Sequence, residues 1–129
     1  GISLALLVAR AFNVPLVMAR HDNYFTEGPT VNINYVSGSA KEIRTMGLPK
    51  RALQPGSRIL VVDDVMKAGG TARGMIELAT EVGANVVGKA FLIETATPEN
   101  KLVDDYTAFF RLYDIDEETR KITIEPILG

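Results

Sequence analysis

Arg58-Ile59-Leu60-Val61-Val62-Asp63-Asp64-Val65-Met66-Lys67-Ala68-Gly69-Gly70-Thr71-Ala72 is the stretch from which the rest of the chain is read. Ile59 to Val62 is a short apolar run rich in β-branched residues, the pattern of a buried strand in a parallel sheet. Two adjacent carboxylates, Asp63 and Asp64, stand where that strand should end. Gly69, Gly70 and Thr71 then open a helical pattern. A helix start presents unpaired backbone N–H groups and a partial positive charge. Paired glycines carry no Cβ, so the backbone approaches an anion closely. Thr71 adds a hydroxyl donor. The carboxylates repel a phosphate and suit sugar hydroxyls or a metal ion instead. Read together, these parts describe a phosphorylated sugar, with its phosphate on the Gly-Gly-Thr turn and its hydroxyls on the acids.

Other readings of the same residues are weaker. Adjacent acids after a strand can simply open a loop, and Gly-Gly is a common turn. The stretch is not a Walker A loop, because no Lys-Ser or Lys-Thr follows the glycines, and it is not a dinucleotide fingerprint. Val61-Val62-Asp63-Asp64 also looks like the acidic pocket of a response-regulator receiver domain. That family has no Gly-Gly-Thr turn after its acids and carries them near the domain start, whereas here they lie midway along the chain.

Length and composition bound the answer. The 129 residues suffice for one domain, and a hydrophobic content of 47% marks a globular chain. There is no cysteine, which excludes disulfides and thiolate sites and fits a reducing compartment. No apolar run reaches the length of a membrane span, and Gly1 to Val8 lacks the basic leader of a signal peptide. The net charge is −2, and Lys and Arg form no cluster of the kind that neutralises nucleic-acid phosphates. The chain is therefore not expected to bind DNA by itself.

In chain order, Ile2, Ala5, Leu6, Ala9 and Phe12 recur at helical spacing. Leu4, Leu7 and Val8 fill most of the remaining face, which predicts a well-buried helix ended by Asn13-Val14-Pro15. An α/β domain that opens on a helix looks as if its first βαβ unit lacks its first strand. Leu16 to Ala19 reads as the next strand, delivering Arg20, His21 and Asp22 to its C-terminal end, where ligands of open α/β sheets gather. Val31, Ile33 and Tyr35 alternate with Asn32 and Asn34, a half-exposed strand. Ser37 to Ala40 is a turn, and Ile43 to Leu48 returns as a hairpin partner. Ala72, Met75, Ile76, Ala79 and Val82 mark one helix face, with Gly83 as its C-cap. Val86 to Ile93 reads as a second buried strand and Pro98 to Asp104 as a short helix or loop. Tyr106 to Tyr113 reads as an aromatic-rich strand, and Lys121 to Glu125 as an edge strand. Repeats, linkers and low-complexity segments are absent from the sequence.

The central stretch resembles the binding motif for 5-phosphoribosyl-1-diphosphate (PRPP) of type I phosphoribosyltransferases. The resemblance implies an α/β fold: a parallel sheet flanked by helices, with a small mobile β hood. It implies that Asp63 and Asp64 hold the ribose hydroxyls. Lys67, Ala68, Gly69, Gly70 and Thr71 then hold the 5-phosphate. It also implies that Val65 lies on the base side. Arg20-His21 looks like the family's Arg-Lys pair, which makes Arg20 a further PRPP contact. The hairpin looks like the hood, with Lys41, Arg44, Lys50 and Arg51 giving it positive charge or serving only as solvated surface. One position departs from the pattern: Ala68 stands where the enzymes usually carry Thr.

Val31-Asn32-Ile33-Asn34-Tyr35-Val36-Ser37-Gly38-Ser39, Thr45-Met46, Lys50-Arg51 and Asp63 to Thr71 sharpen the resemblance to bacterial purine operon repressors. That likeness implies residues 1–129 are a PRPP-binding effector domain, N-terminally truncated, with a winged-helix DNA-binding domain and the first strand missing. It implies PRPP as effector, Mg²⁺ carried by PRPP with no direct protein ligand, and no catalytic residue. It further implies a cytoplasmic homodimer that meets DNA only through the other domain and does not meet membranes. An active xanthine- or adenine-type phosphoribosyltransferase remains the alternative, and a receiver-type module stands far behind both.

Overall fold

The computed structural model describes residues 2–21, 29–36, 42–113 and 124–127. Its elements are helix α1 (Ile2–Phe12), strands β1 (Arg20–His21), β2 (Thr30–Val36), β3 (Ile43–Pro49) and β4 (Arg58–Met66), and helix α2 (Gly70–Val82). Strands β5 (Asn85–Thr95), β6 (Thr107–Leu112) and β7 (Ile124–Pro126) complete it. Two sheets form. One is antiparallel, in the order β1-β3-β2; the other runs β4-β5-β6-β7. In the second, β4, β5 and β6 are parallel and β7 closes the edge antiparallel. The fold is therefore α/β with a mostly parallel sheet, as the sequence implies.

Helix α2 joins the two sheets. Leu78 and Ala79 pack with Tyr35, Met46 and Leu48 of the hairpin, and with Leu53 and Ala84. Ala72 and Ile76 pack with Met66, Phe91, Val103 and Tyr106. Phe91, Met46, Met66 and Leu78 are fully enclosed, each worth about 1.5–3 kcal/mol relative to exposure. Gly74 sets how closely the hairpin approaches: a Cβ there would lie 3.2 Å from Tyr35 Cβ. The helix ends where the sequence indicates. Gly83 is left-handed at φ 90°, and its N–H returns to the carbonyls of Ala79 and Thr80.

Several expectations need correction. Leu16 to Ala19 is not a strand. No strand among the described residues pairs with it, and an extended segment without a ladder partner stays irregular. Val17 and Ala19 nevertheless pack on the core. Arg20 and His21 instead pair antiparallel with Gly47 and Met46 of β3. Helix α1 is not well buried. Ala9 is enclosed, but Leu6 is 56% and Phe12 68% exposed, the helix packing chiefly against β4 among the described elements. The β2–β3 hairpin forms as predicted, in a register that places Tyr35 opposite Arg44. Its base packs on α2, where Tyr35, Met46 and Leu48 are buried. The hairpin tip, Ser37 to Lys41, lies outside the described residues, as do Asp22, the His21 side chain and Lys121. Finally, β4 lies at the edge of its sheet among the described residues. Pro98 to Asp104 is the loop of the two forms expected for it.

Candidate functional site

Parallel pairing of β4, β5 and β6 brings their C-terminal ends to one edge of the sheet. Asp63 and Asp64 lie there, but inside the strand, which runs on to Met66 while Asp63 pairs with Phe91 and Val65 with Ile93. Successive strand residues leave on opposite faces, so adjacent acids do not form a paired surface by default. Here the Asp63 carboxylate is drawn along the chain, its Oδ1 accepting the Asp64 N–H at 2.9 Å. Both acids are half-buried. Val65 is 42% exposed and offers apolar surface beside them.

Lys67, Ala68 and Gly69 make the bend into α2, which begins at Gly70. Gly69 holds φ 99°, a conformation suited to glycine. The first helical bond runs from Arg73 N–H to Gly69 carbonyl at 2.8 Å. Gly69 supplies no side-chain cap, and the first turn contains no acidic residue. The early N–H groups of the helix therefore meet no acidic neighbour on their own first turn, the arrangement that suits an anion. Gly69 and Gly70 are buried, Ala68 and Thr71 half-buried and Lys67 exposed. The structure thus assembles Asp63, Asp64, Val65 and Lys67 to Thr71 at one sheet edge. It does not bring Arg20 into that sheet, because β1 belongs to the other one. Of the hairpin cations, Arg44 makes a surface pair with Glu42 at 3.7 Å.

A polar network beside the turn was missed in the sequence. Glu94, 6% exposed at the end of β5, accepts Arg111 Nε at 3.0 Å and Nη2 at 2.9 Å on Oε1, and the Tyr106 hydroxyl on Oε2. A buried carboxylate needs such partners to avoid a desolvation penalty. Burial, then the hydrogen bond and charge of Glu94, push the Tyr106 hydroxyl up to about 12, with Arg111 opposing. The Glu94 bond also raises Arg111. Lys101 is lowered by burial, with Glu94 opposing and Arg111 adding. Glu94, Lys101, Arg111 and Tyr113 help to line a cavity of about 300 Å³ at this edge. A lone acid closing the apolar run before Thr95 was the one available signal for Glu94; Lys101 gave none.

Among the described residues, no cluster of three or more His, Asp or Glu is arranged to hold a metal. No helix among them is long and apolar enough to cross a membrane.

Comparison with known proteins agrees with this geometry. Residues 1–124 match the phosphoribosyl transferase domain family. The chain is 48% identical over 125 residues to the purine biosynthesis transcriptional repressor PurR of Bacillus subtilis, covering 97% of this chain and 44% of that protein. It is 39% identical to the purine biosynthesis transcriptional activator PurR of Lactococcus lactis, covering 97% and 46%. It therefore spans less than half the length of these relatives. Among solved structures, adenine phosphoribosyltransferase from Rhodothermus marinus superimposes with a TM-score of 0.71 at 27% identity, over 83% of this chain and 61% of that one. The chain belongs to the phosphoribosyl transferase domain family, and along nearly its whole length it is similar to regulators of purine biosynthesis.

Proposed function

We propose that this domain is the PRPP-sensing effector domain of a transcriptional regulator of purine biosynthesis and transport genes, and that it binds PRPP without turning it over. The observation that carries this reading is the junction of β4 with α2. Two half-buried carboxylates are followed within one turn by a glycine-rich helix start without an acidic residue. Asp63 and Asp64 accept the ribose hydroxyls, and the N–H groups of Lys67 to Thr71 receive the 5-phosphate. Mg²⁺ arrives on the diphosphate, because the acids here are committed to the sugar. Val65 gives the apolar surface on the side where an enzyme of the family meets its base. Arg20 contributes from the neighbouring sheet as a fixed cation.

Absence of turnover rests on two points. Ala68 lacks the hydroxyl donor that the enzymes carry before Gly-Gly. The regulators, furthermore, match 97% of this chain. One of these relatives is named a repressor and the other an activator. DNA is met through another domain of a cytoplasmic homodimer. Calorimetry with PRPP and Mg²⁺, paired with a pyrophosphate-release assay over the common purine bases, tests the reading. One-to-one binding with no release is expected. Steady release with adenine or xanthine establishes an active phosphoribosyltransferase instead.

A further inference from the structure

A turn that offers its N–H groups to an anion must have its carbonyls secured elsewhere, or the turn is free to rotate. Two consecutive carbonyls of this turn are secured by a single neighbouring segment. Lys101 Nζ donates to the Lys67 carbonyl, and the Leu102 N–H donates to the Ala68 carbonyl at 2.8 Å. Lys101 also donates to the Thr95 carbonyl at 2.7 Å and to Thr95 Oγ1 at 3.3 Å. An ammonium has three donors, and these three acceptors account for all of them. Thr95 is the last residue of β5, so Lys101 fastens the turn to the sheet end. The segment is itself held by Val103, buried with Met66, Ala72 and Phe91. Gly69 completes the fit, since a Cβ there would lie 3.2 Å from Leu102 N.

We infer that Lys101 is a positioning residue for the phosphate turn: it fixes the Lys67–Gly69 backbone from behind, so that its N–H groups converge on the 5-phosphate of the ligand. The inference rests on the PRPP-binding reading and deepens it. Lys101 stands 30 or more residues from the turn in sequence and needs no contact with the ligand. Burial works against the charged form of Lys101, and the Glu94 carboxylate nearby works in its favour.

The test measures, in the full chain, dissociation constants for PRPP, ribose 5-phosphate and inorganic pyrophosphate, each with Mg²⁺, and the melting transition without ligand. The variants are Lys101→Met, Lys101→Gln and Lys101→Arg. Lys101→Met should weaken PRPP and ribose 5-phosphate by the same factor, about 10- to 100-fold, since charge-assisted bonds to the turn are lost. Pyrophosphate, which does not use the turn, should bind as before. Lys101→Arg keeps charge and donors and should recover most of the loss; Lys101→Gln should fall between and serves if Lys101→Met does not fold. Folded variants that bind ribose 5-phosphate within twofold of the parent overturn the inference, as does an equal loss for pyrophosphate. If the parent binds neither phosphorylated sugar, the functional reading itself fails, and the inference with it.

Discussion

Replacing Gly69 by alanine should separate the two demands that the turn places on its backbone. The first is conformational. Gly69 sits at φ 99° and ψ 12°, and an L-residue in left-handed space costs about 1–2 kcal/mol. The second is steric. The new Cβ would lie 3.2 Å from Leu102 N, 3.5 Å from Val103 Cγ2 and 3.6 Å from Leu102 Cβ. The nearest atom is backbone, and it is already bonded to the Ala68 carbonyl at 2.8 Å. Relief requires that bond to lengthen, for a further loss of about 0.5–1.5 kcal/mol. The two effects together give about 1.5–3.5 kcal/mol, roughly a 10- to 400-fold drop in the folding equilibrium constant. For a domain of this size that is roughly 6–13 °C in Tm. Urea denaturation at fixed pH, with slopes compared, measures it. PRPP affinity should fall as well, because the strain is absorbed by the turn. A Gly69→Ala protein within about 0.5 kcal/mol of the parent would show that the turn is not held as described.

Two other changes discriminate further. A Cβ on Gly88 would come still closer to a neighbour, 2.8 Å from Leu60 Cδ1, but that atom is the free end of a partly exposed side chain that can rotate away. Gly88→Ala should therefore change stability by less than about 1 kcal/mol in urea denaturation, well below Gly69→Ala despite the tighter contact. Tyr106 gives a pH signature. Its hydroxyl is raised from 10.0 to about 12 in the fold, so its contribution is complete below pH 10. The unfolded chain loses the proton first, so the contribution declines as pH rises and is gone above about 12. Subtracting the stability curve of Tyr106→Phe from that of the parent should give a difference that falls between about pH 10 and 12; a flat difference contradicts the burial of the hydroxyl against Glu94.

The elements that report most on function were the most legible in the sequence. The β4–α2 junction could be read because its signals are local: a β-branched run, two acids, two glycines and a helical repeat ending at Gly83. Strand β2 followed from the alternation of Val31, Ile33 and Tyr35, and β5 and β6 from their apolar runs. The failures share a physical cause, since each depends on a partner distant in sequence. Leu16 to Ala19 has strand composition, but a strand exists only through its neighbour. The exposure of α1 depends on what packs against it, which periodicity does not encode. Glu94 and Lys101 look like ordinary charged residues near a chain turn. Their contacts emerge only when parallel pairing sets β5 beside β6 and folds the 96–106 segment against the Lys67–Gly69 turn.

The central claim is that Asp63 and Asp64 recognise a ribose, and one titration tests it. Asp63→Asn/Asp64→Asn keeps side-chain shape and leaves an Oδ1 at residue 63 to accept the residue-64 N–H now bound at 2.9 Å. The fold should therefore be retained, with a melting transition close to that of the parent. Carboxylates accept sugar hydroxyls in charge-assisted bonds about twice as strong as neutral ones. Losing both charges should cost about 2–4 kcal/mol of PRPP binding, roughly a 30- to 1,000-fold weaker Kd. Calorimetry of the double variant against PRPP and Mg²⁺ reads this directly. Weakened binding by a protein with an intact melting transition is the predicted result. Unchanged affinity with that transition intact contradicts it, and leaves the two acids as the polar end of a buried strand.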